Sequence, residues 1–132
     1  MITETNLRIL IKEMAPQLNI GAYVFVTVPD TDQIPRKDIL GEFKEKEGIT
    51  IILERKTADL LHLTYSYIAS WITLKVHSSL HAVGLTAAFS SELAKHQISC
   101  NVISGYYHDH IFVAKEDELK AMQVLKDLSD NY

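Results

Sequence analysis

Residues able to do chemistry gather in two places. "HSSLHAVG", residues 77–84, holds two histidines, two serines and a glycine. "YYHDHIF" sets His108 and His110 on either side of Asp109, and Cys100 lies between the two stretches. Three chemistries use such residues: a serine or cysteine nucleophile with a histidine base, a metal held by imidazole and carboxylate, and an anion seated at the start of a helix.

The nucleophile is poorly supported. Ser78 and Ser79 stand beside His77 and His81, but there is no Gly-x-Ser-x-Gly elbow, and adjacency in sequence does not supply triad geometry. Cys100 falls in an apolar strand pattern, which fits a buried, inert thiol. A metal fares no better. His108 and His110 share one face of an extended strand and Asp109 points to the other, so His77 would have to converge on them. His62, His81 and His96 are scattered, and there is neither a His-Glu-x-x-His helix nor a cysteine pair. These read as surface histidines. No glycine-rich phosphate loop occurs.

The anion reading needs a helix starting at Leu85. Its first turn would leave N–H groups unpaired at the positive end of the dipole. Gly84 would let a ligand approach the backbone, and Ser78 or Ser79 would add a hydroxyl donor. The plainer alternative is that Gly84 only permits the turn and a serine satisfies a loop N–H. From these residues alone both readings stand.

Composition narrows the classes. A chain of 132 residues makes one compact domain or two very small ones. It is 47% hydrophobic and 23% charged, too apolar for disorder. The net charge of −4, with no cluster of Lys and Arg, argues against a nucleic-acid surface. One cysteine forms no internal disulfide and fits a reducing compartment. "MITETNLRIL" carries an acid where a signal peptide carries bases, and no apolar run is long enough to span a bilayer. The expectation is a soluble cytoplasmic protein without nucleic-acid or membrane partners.

The elements that must position these residues follow from periodicity. Leu7, Leu10, Ile11 and Met14 make a helical stripe that Pro16 should end. "YVFVTV" and "ITIILE" are strands, with a long connection from Pro29 to Gly48 that could hold a helical turn near Ile39 to Phe43. Thr57 should cap a short helix through Leu61. Ser70 to His77 alternates as a strand, with Ile72, Leu74 and Val76 on one face and Trp71 on the other. Trp71 is then either a contact surface or covered within the chain. Leu85, Ala88, Phe89 and Leu93 recur at helical spacing, and "ISCNVISGYY" and "HIFVAK" form a hairpin turning near Gly105 to Asp109. Leu119, Met122, Leu125 and Leu128 stripe a last helix. Helix, strand, strand, helix thus occurs twice, with "LNIGAYVFVTV" aligned on "HQISCNVISGY" and "ITIILERKTADLL" on "HIFVAKEDELKAM". That order favours an α+β fold with helices on one sheet face.

Residues Trp71 to Val113, with Val83-Gly84 and "ISCNVIS" as the most telling parts, resemble an ACT domain. The whole chain is similar to a family of small bacterial tandem ACT proteins, related to the ACT regions of aspartokinases and of CASTOR-type arginine sensors. "YVFVTVP" and "EGITIILER" fit a degenerate first unit. The resemblance implies two ferredoxin-like βαββαβ units with antiparallel sheets: a degenerate one at residues 1–65 and a full one at 66–132. It further implies a non-enzymatic regulatory protein, without cofactor, metal or catalytic residues, that binds a small ligand such as an amino acid. The ligand would meet Ser78, Ser79, Val83, Gly84 and Leu85, with Asn101 accepting from its ammonium group. Asp109 could add charge there, though its place in the hairpin reads first as a turn residue. The open sheet edges and the resemblance together imply at least a homodimer. The alternatives are an oligomeric interaction module without ligand and, more remotely, a metal-dependent hydrolase.

Overall fold

The computed structural model describes residues 6–132; the N-terminal start read against a signal peptide, residues 1–5, lies outside them. The elements are α1 (Leu7–Lys12), β1 (Pro16–Leu18), β2 (Tyr23–Val28), β3 (Gly41–Lys44), β4 (Ile49–Glu54), α2 (Arg55–Leu60), β5 (Ile68–Leu74), α3 (Leu85–Lys95), β6 (Asn101–Ser104), β7 (Asp109–Ala114) and α4 (Glu118–Asn131). They divide into two compact units. The middle unit is Gly21–Ala69. The other, called here the two-ended unit, combines the described residues up to Ile20 with Ser70–Tyr132. The architecture is α+β, with two ferredoxin-like units built on antiparallel strands.

In the middle unit Val24, Val26 and Val28 of β2 stand opposite Leu53, Ile51 and Ile49 of β4. Period-2 alternation puts these on one face, and Ala58 of α2 and Ile34 of the loop after β2 close the core over them. β3 pairs along the far side of β4, and the first residues of β5 pair with β2, with Ala69 opposite Tyr23. In the two-ended unit the strand order is β6-β7-β5, with β1 also paired to β5 from Pro16 opposite Leu74 to Leu18 opposite Ile72. Ile72 and Leu74 of β5, with Ile111 and Val113 of β7, form one apolar face. Leu10 and Ile11 of α1, Leu85, Phe89 and Leu93 of α3, and Ala121, Val124 and Leu125 of α4 cover it. Helices therefore do lie on one sheet face in this unit. Its opposite face carries Trp71, Thr73, His110 and Phe112.

Several local expectations are corrected. Pro16 does not merely end a helix: α1 stops at Lys12 and Pro16 opens β1. The segment expected to turn helically near Ile39 to Phe43 is a 3-10 turn at Arg36–Asp38 followed by the edge strand β3, because the cross-strand register with β4 outweighs the weak local pattern. Thr57 sits inside α2 rather than capping it, since Glu54 holds the N-cap position. The strand expected at Ser70 to His77 begins earlier and ends at Leu74. Leu119 is 75% exposed. The other three residues of the expected stripe, Met122, Leu125 and Leu128, do pack on the core, and Ala121 and Val124 join them. The repeat alignment also shifts. Strand order is β3-β4-β2 in one unit and β6-β7-β5 in the other, so "YVFVTV" corresponds to β5 and not to "ISCNVIS". Periodicity recognises a strand but not whether it lies at an edge or in the interior of a sheet.

Candidate functional site

The stretch 75–84 links β5 to α3 and ends on Gly84, which holds the N-cap of α3 with φ +100. No side chain caps this helix. The first intrahelical bond runs from the Ala88 N–H to the Gly84 carbonyl at 2.9 Å. The N–H groups of Leu85, Thr86 and Ala87 precede it and have no partner within the helix. A Cβ at Gly84 would stand 3.0 Å from Leu7 Cδ2, so α1 packs hard against this turn and only glycine fits both the space and the φ. The turn is braced from within: Ser79 Oγ accepts from the His81 N–H, and the Ser79 carbonyl accepts from the Ala82 N–H, both at 3.0 Å.

A cavity of about 170 Å³ opens at this helix start. Gly84, Leu85 and Thr86 form its helix side, and Ser78, Ser79, Leu80 and Ala82 its turn side. The far wall is Ser104 and Asp109, which face each other across the end of the β6–β7 hairpin. Register explains their position. Asp109 alternates with Ile111 and Val113, so it points to the helix-covered face, and Ser104 is its cross-strand partner. Asp109 is only 7% exposed, and its carboxylate has no hydrogen bond or ion pair from a side chain among the described residues. It opens β7 and is not a turn residue; Gly105, whose N–H reaches the His108 carbonyl at 2.9 Å, makes the turn.

Of the residues expected at a ligand, Ser78, Ser79, Gly84 and Leu85 line the cavity. Val83 is 83% exposed and is not among the residues that line it. Asn101 stands opposite Phe112, which alternation places on the other sheet face, and its amide reaches the Phe112 carbonyl at 3.5 Å. Ser104, Thr86 and Asp109 complete the wall. The parity of Asp109 with Ile111 and Val113 was the signal that could have found it.

The histidines serve elsewhere. His110 lies on the opposite face from Asp109, where its Nδ1 accepts from Trp71 Nε1 at 3.0 Å and lies 3.2 Å from Thr73 Oγ1, which in turn accepts from Asn19. The Trp71 ring stacks on Phe112. Burial and the neighbouring His108 hold His110 below the ordinary histidine value, with Asp109 opposing. His77 packs against Tyr106 and Tyr107. Among the described residues no three His, Cys, Asp or Glu side chains converge as metal ligands. Burial pushes the Cys100 thiol up to about 11, so it carries no thiolate at neutral pH. Among the described residues no helix is long and apolar enough to cross a membrane.

Two ACT domain family models match the chain, one over residues 3–70 and the other over 66–127. Among solved structures, a Vibrio cholerae protein of unknown function, termed a possible transport protein, is 47% identical, with TM-score 0.83 over 93% of this chain and 95% of its own. A C-terminal regulatory domain of aspartate kinase from Porphyromonas gingivalis shares the fold at 13% identity, with TM-score 0.59 over 89% of this chain and 97% of its own. The ligand-free regulatory subunit of aspartate kinase from Thermus thermophilus does so at 9%, with TM-score 0.58 over 86% and 97%. No curated protein matches.

Proposed function

The chain belongs to the ACT domain family, with two units in tandem, and from that premise we propose that it is a non-enzymatic regulatory protein that binds an amino acid at the start of α3. The observation that carries this reading is the uncapped helix start opening into a hydroxyl-lined cavity. Backbone N–H groups there stabilise a carboxylate, and Ser78, Ser79 and Thr86 supply further donors. A volume of about 170 Å³ is below the roughly 300 Å³ at which pockets for drug-sized ligands begin, so the ligand is small. Catalysis has little support: among the described residues no hydroxyl of the cavity is hydrogen-bonded to a carboxylate or imidazole, and Cys100 stays protonated.

The working form is at least a homodimer in the cytoplasm. Leu80, Val83, Tyr106 and Tyr107, exposed by 69, 83, 74 and 56%, surround the cavity in sequence and give a second copy an apolar surface to cover. The same four residues favour the second reading, a self-associating interaction module with no ligand. A thermal-shift screen with the twenty amino acids, nucleotides and small organic acids separates the two. A ligand at a hundred times its dissociation constant adds about 2.7 kcal/mol, a shift of several degrees. A flat response to every compound refutes amino-acid binding and leaves the module. Light scattering should show a dimer at tens of micromolar; a monomer there contradicts the assembly.

A further inference from the structure

We propose that the cavity at the start of α3 selects a small zwitterion, with Asp109 as the anchor for its ammonium group. This rests on the reading that a carboxylate sits at the helix start, and adds what the helix start alone does not dictate.

A bare helix N-terminus favours any anion of the right size. This one shares its cavity with a carboxylate that is 7% exposed and has no side-chain partner among the described residues. An ionised carboxylate held that deep in a protein ordinarily has a cation or strong donors facing it. None of the nine lining residues is basic. A simple anion entering here gains the helix start and is repelled by Asp109. A simple cation gains Asp109 and meets the positive end of the dipole. A molecule carrying both charges a few ångströms apart satisfies both walls, and Ser78 and Ser104, which also line the cavity, offer hydroxyls for its remaining hydrogen bonds. The volume of about 170 Å³ holds the zwitterionic core and a short side chain; a guanidinium or indole would have to project out.

The test titrates the full chain by calorimetry with matched probes: glycine, acetate and methylammonium; L-alanine, propionate and ethylammonium; L-serine, 3-hydroxypropionate and ethanolammonium. At least one zwitterion should bind about tenfold or more tighter than both of its single-charge counterparts, the scale of one charged hydrogen bond. Asp109→Asn should lose that factor for the zwitterion and bind the carboxylic acid no worse than the parent. Circular dichroism and gel filtration check that the variant folds; if it does not, the comparison on the parent chain decides. An acid that binds as tightly as its amino acid overturns the role of Asp109 and leaves the carboxylate site standing. A chain that prefers lysine, arginine or tryptophan to all three small amino acids overturns the size limit. No binding by any amino acid or acid at tens of millimolar overturns this proposal together with the reading beneath it.

Discussion

The two units share a strand order and differ in the segment after the first strand of each. In the two-ended unit β5 leads through a serine-rich turn into the eleven-residue helix α3. In the middle unit β2 leads into a loop from Pro29 to Leu40, with one 3-10 turn and no α-helix. The reason is local. Leu85, Phe89 and Leu93 repeat at four-residue spacing behind Gly84. The loop has Pro29 and Pro35, and an Asp30 side chain that accepts from the Asp32 N–H in a tight turn. Ile34 and Ile39 drop into the middle unit's core where a helix would lie. Without a helix after β2 there is no helix start at that place, so the cavity at the start of α3 has no counterpart after β2.

The largest test of this difference is truncation of the two core plugs. Phe89→Ala removes a fully buried ring from α3 and should cost about 3–5 kcal/mol in urea denaturation. Ile34→Ala, at a loop position 8% exposed that can collapse, should fall at or below the lower end of the 2–5 kcal/mol range for such changes. Equal costs would mean that loop and helix are equivalent supports. Next come the glycines. Gly84→Ala places a Cβ 3.0 Å from Leu7 at φ +100 and should cost about 1–2 kcal/mol or more, from left-handed strain plus the contact. Gly41→Ala in β3 meets the Ile52 side chain, nearest at Cδ1 at 3.4 Å, an ordinary contact, and should be neutral within about 0.5 kcal/mol. A tolerated Gly84→Ala would remove the argument that the helix start is held open by necessity.

Acid sensitivity should be a property of the two-ended unit. Glu118, at the start of α4, accepts from Ser70 Oγ and from Lys115 Nζ, which hold its carboxyl below the ordinary 4.5. A depressed carboxyl stabilises the fold above its unfolded value, and that stability is lost as pH falls from about 4.5 through the folded value. Glu118→Gln should lower the melting temperature at pH 7 and narrow the gap between pH 7 and the acid side. His110 acts higher on the scale. Its folded value lies below 6.5, so the folded state binds less proton than the unfolded one, and stability declines as pH falls from about 6.5. Protonation at Nδ1 removes the acceptor of Trp71, the one tryptophan of the chain, so its fluorescence should titrate with a midpoint below 6.5. A midpoint at or above 6.5 contradicts this. Smallest is Lys95→Ala, which breaks an exposed pair with Glu92 at 3.4 Å and should change stability by under about 0.5 kcal/mol.

Much of this was legible in the chain. Alternation in "YVFVTV", "ITIILE" and "HIFVAK" and helical spacing behind Gly84 needed only periods of 2 and 3.6, because each such segment buries one face against whatever covers it. The strand-turn-helix join was readable for the same reason, and with it the placing of Ser78, Ser79, Gly84 and Leu85 beside the helix start. The short β1 and β3 were not readable, since "PQL" and "GEFK" become strands only by pairing with β5 and β4.

The sequence by itself determined which residues could end a strand, start a helix and leave its N–H groups bare, because those are properties of neighbours along the chain. Only the tertiary structure decided what faces that helix start. Asn101 and Asp109 both lie on strands near it, and hairpin register sends one away from the helices and the other toward them. Glycine is required at position 84 both by its positive φ and by Leu7 of α1, far away in sequence, which leaves no room for a Cβ. Charge at the far wall of the cavity is likewise a matter of register, and a shift of one residue in β7 would have turned Asp109 out and His110 in.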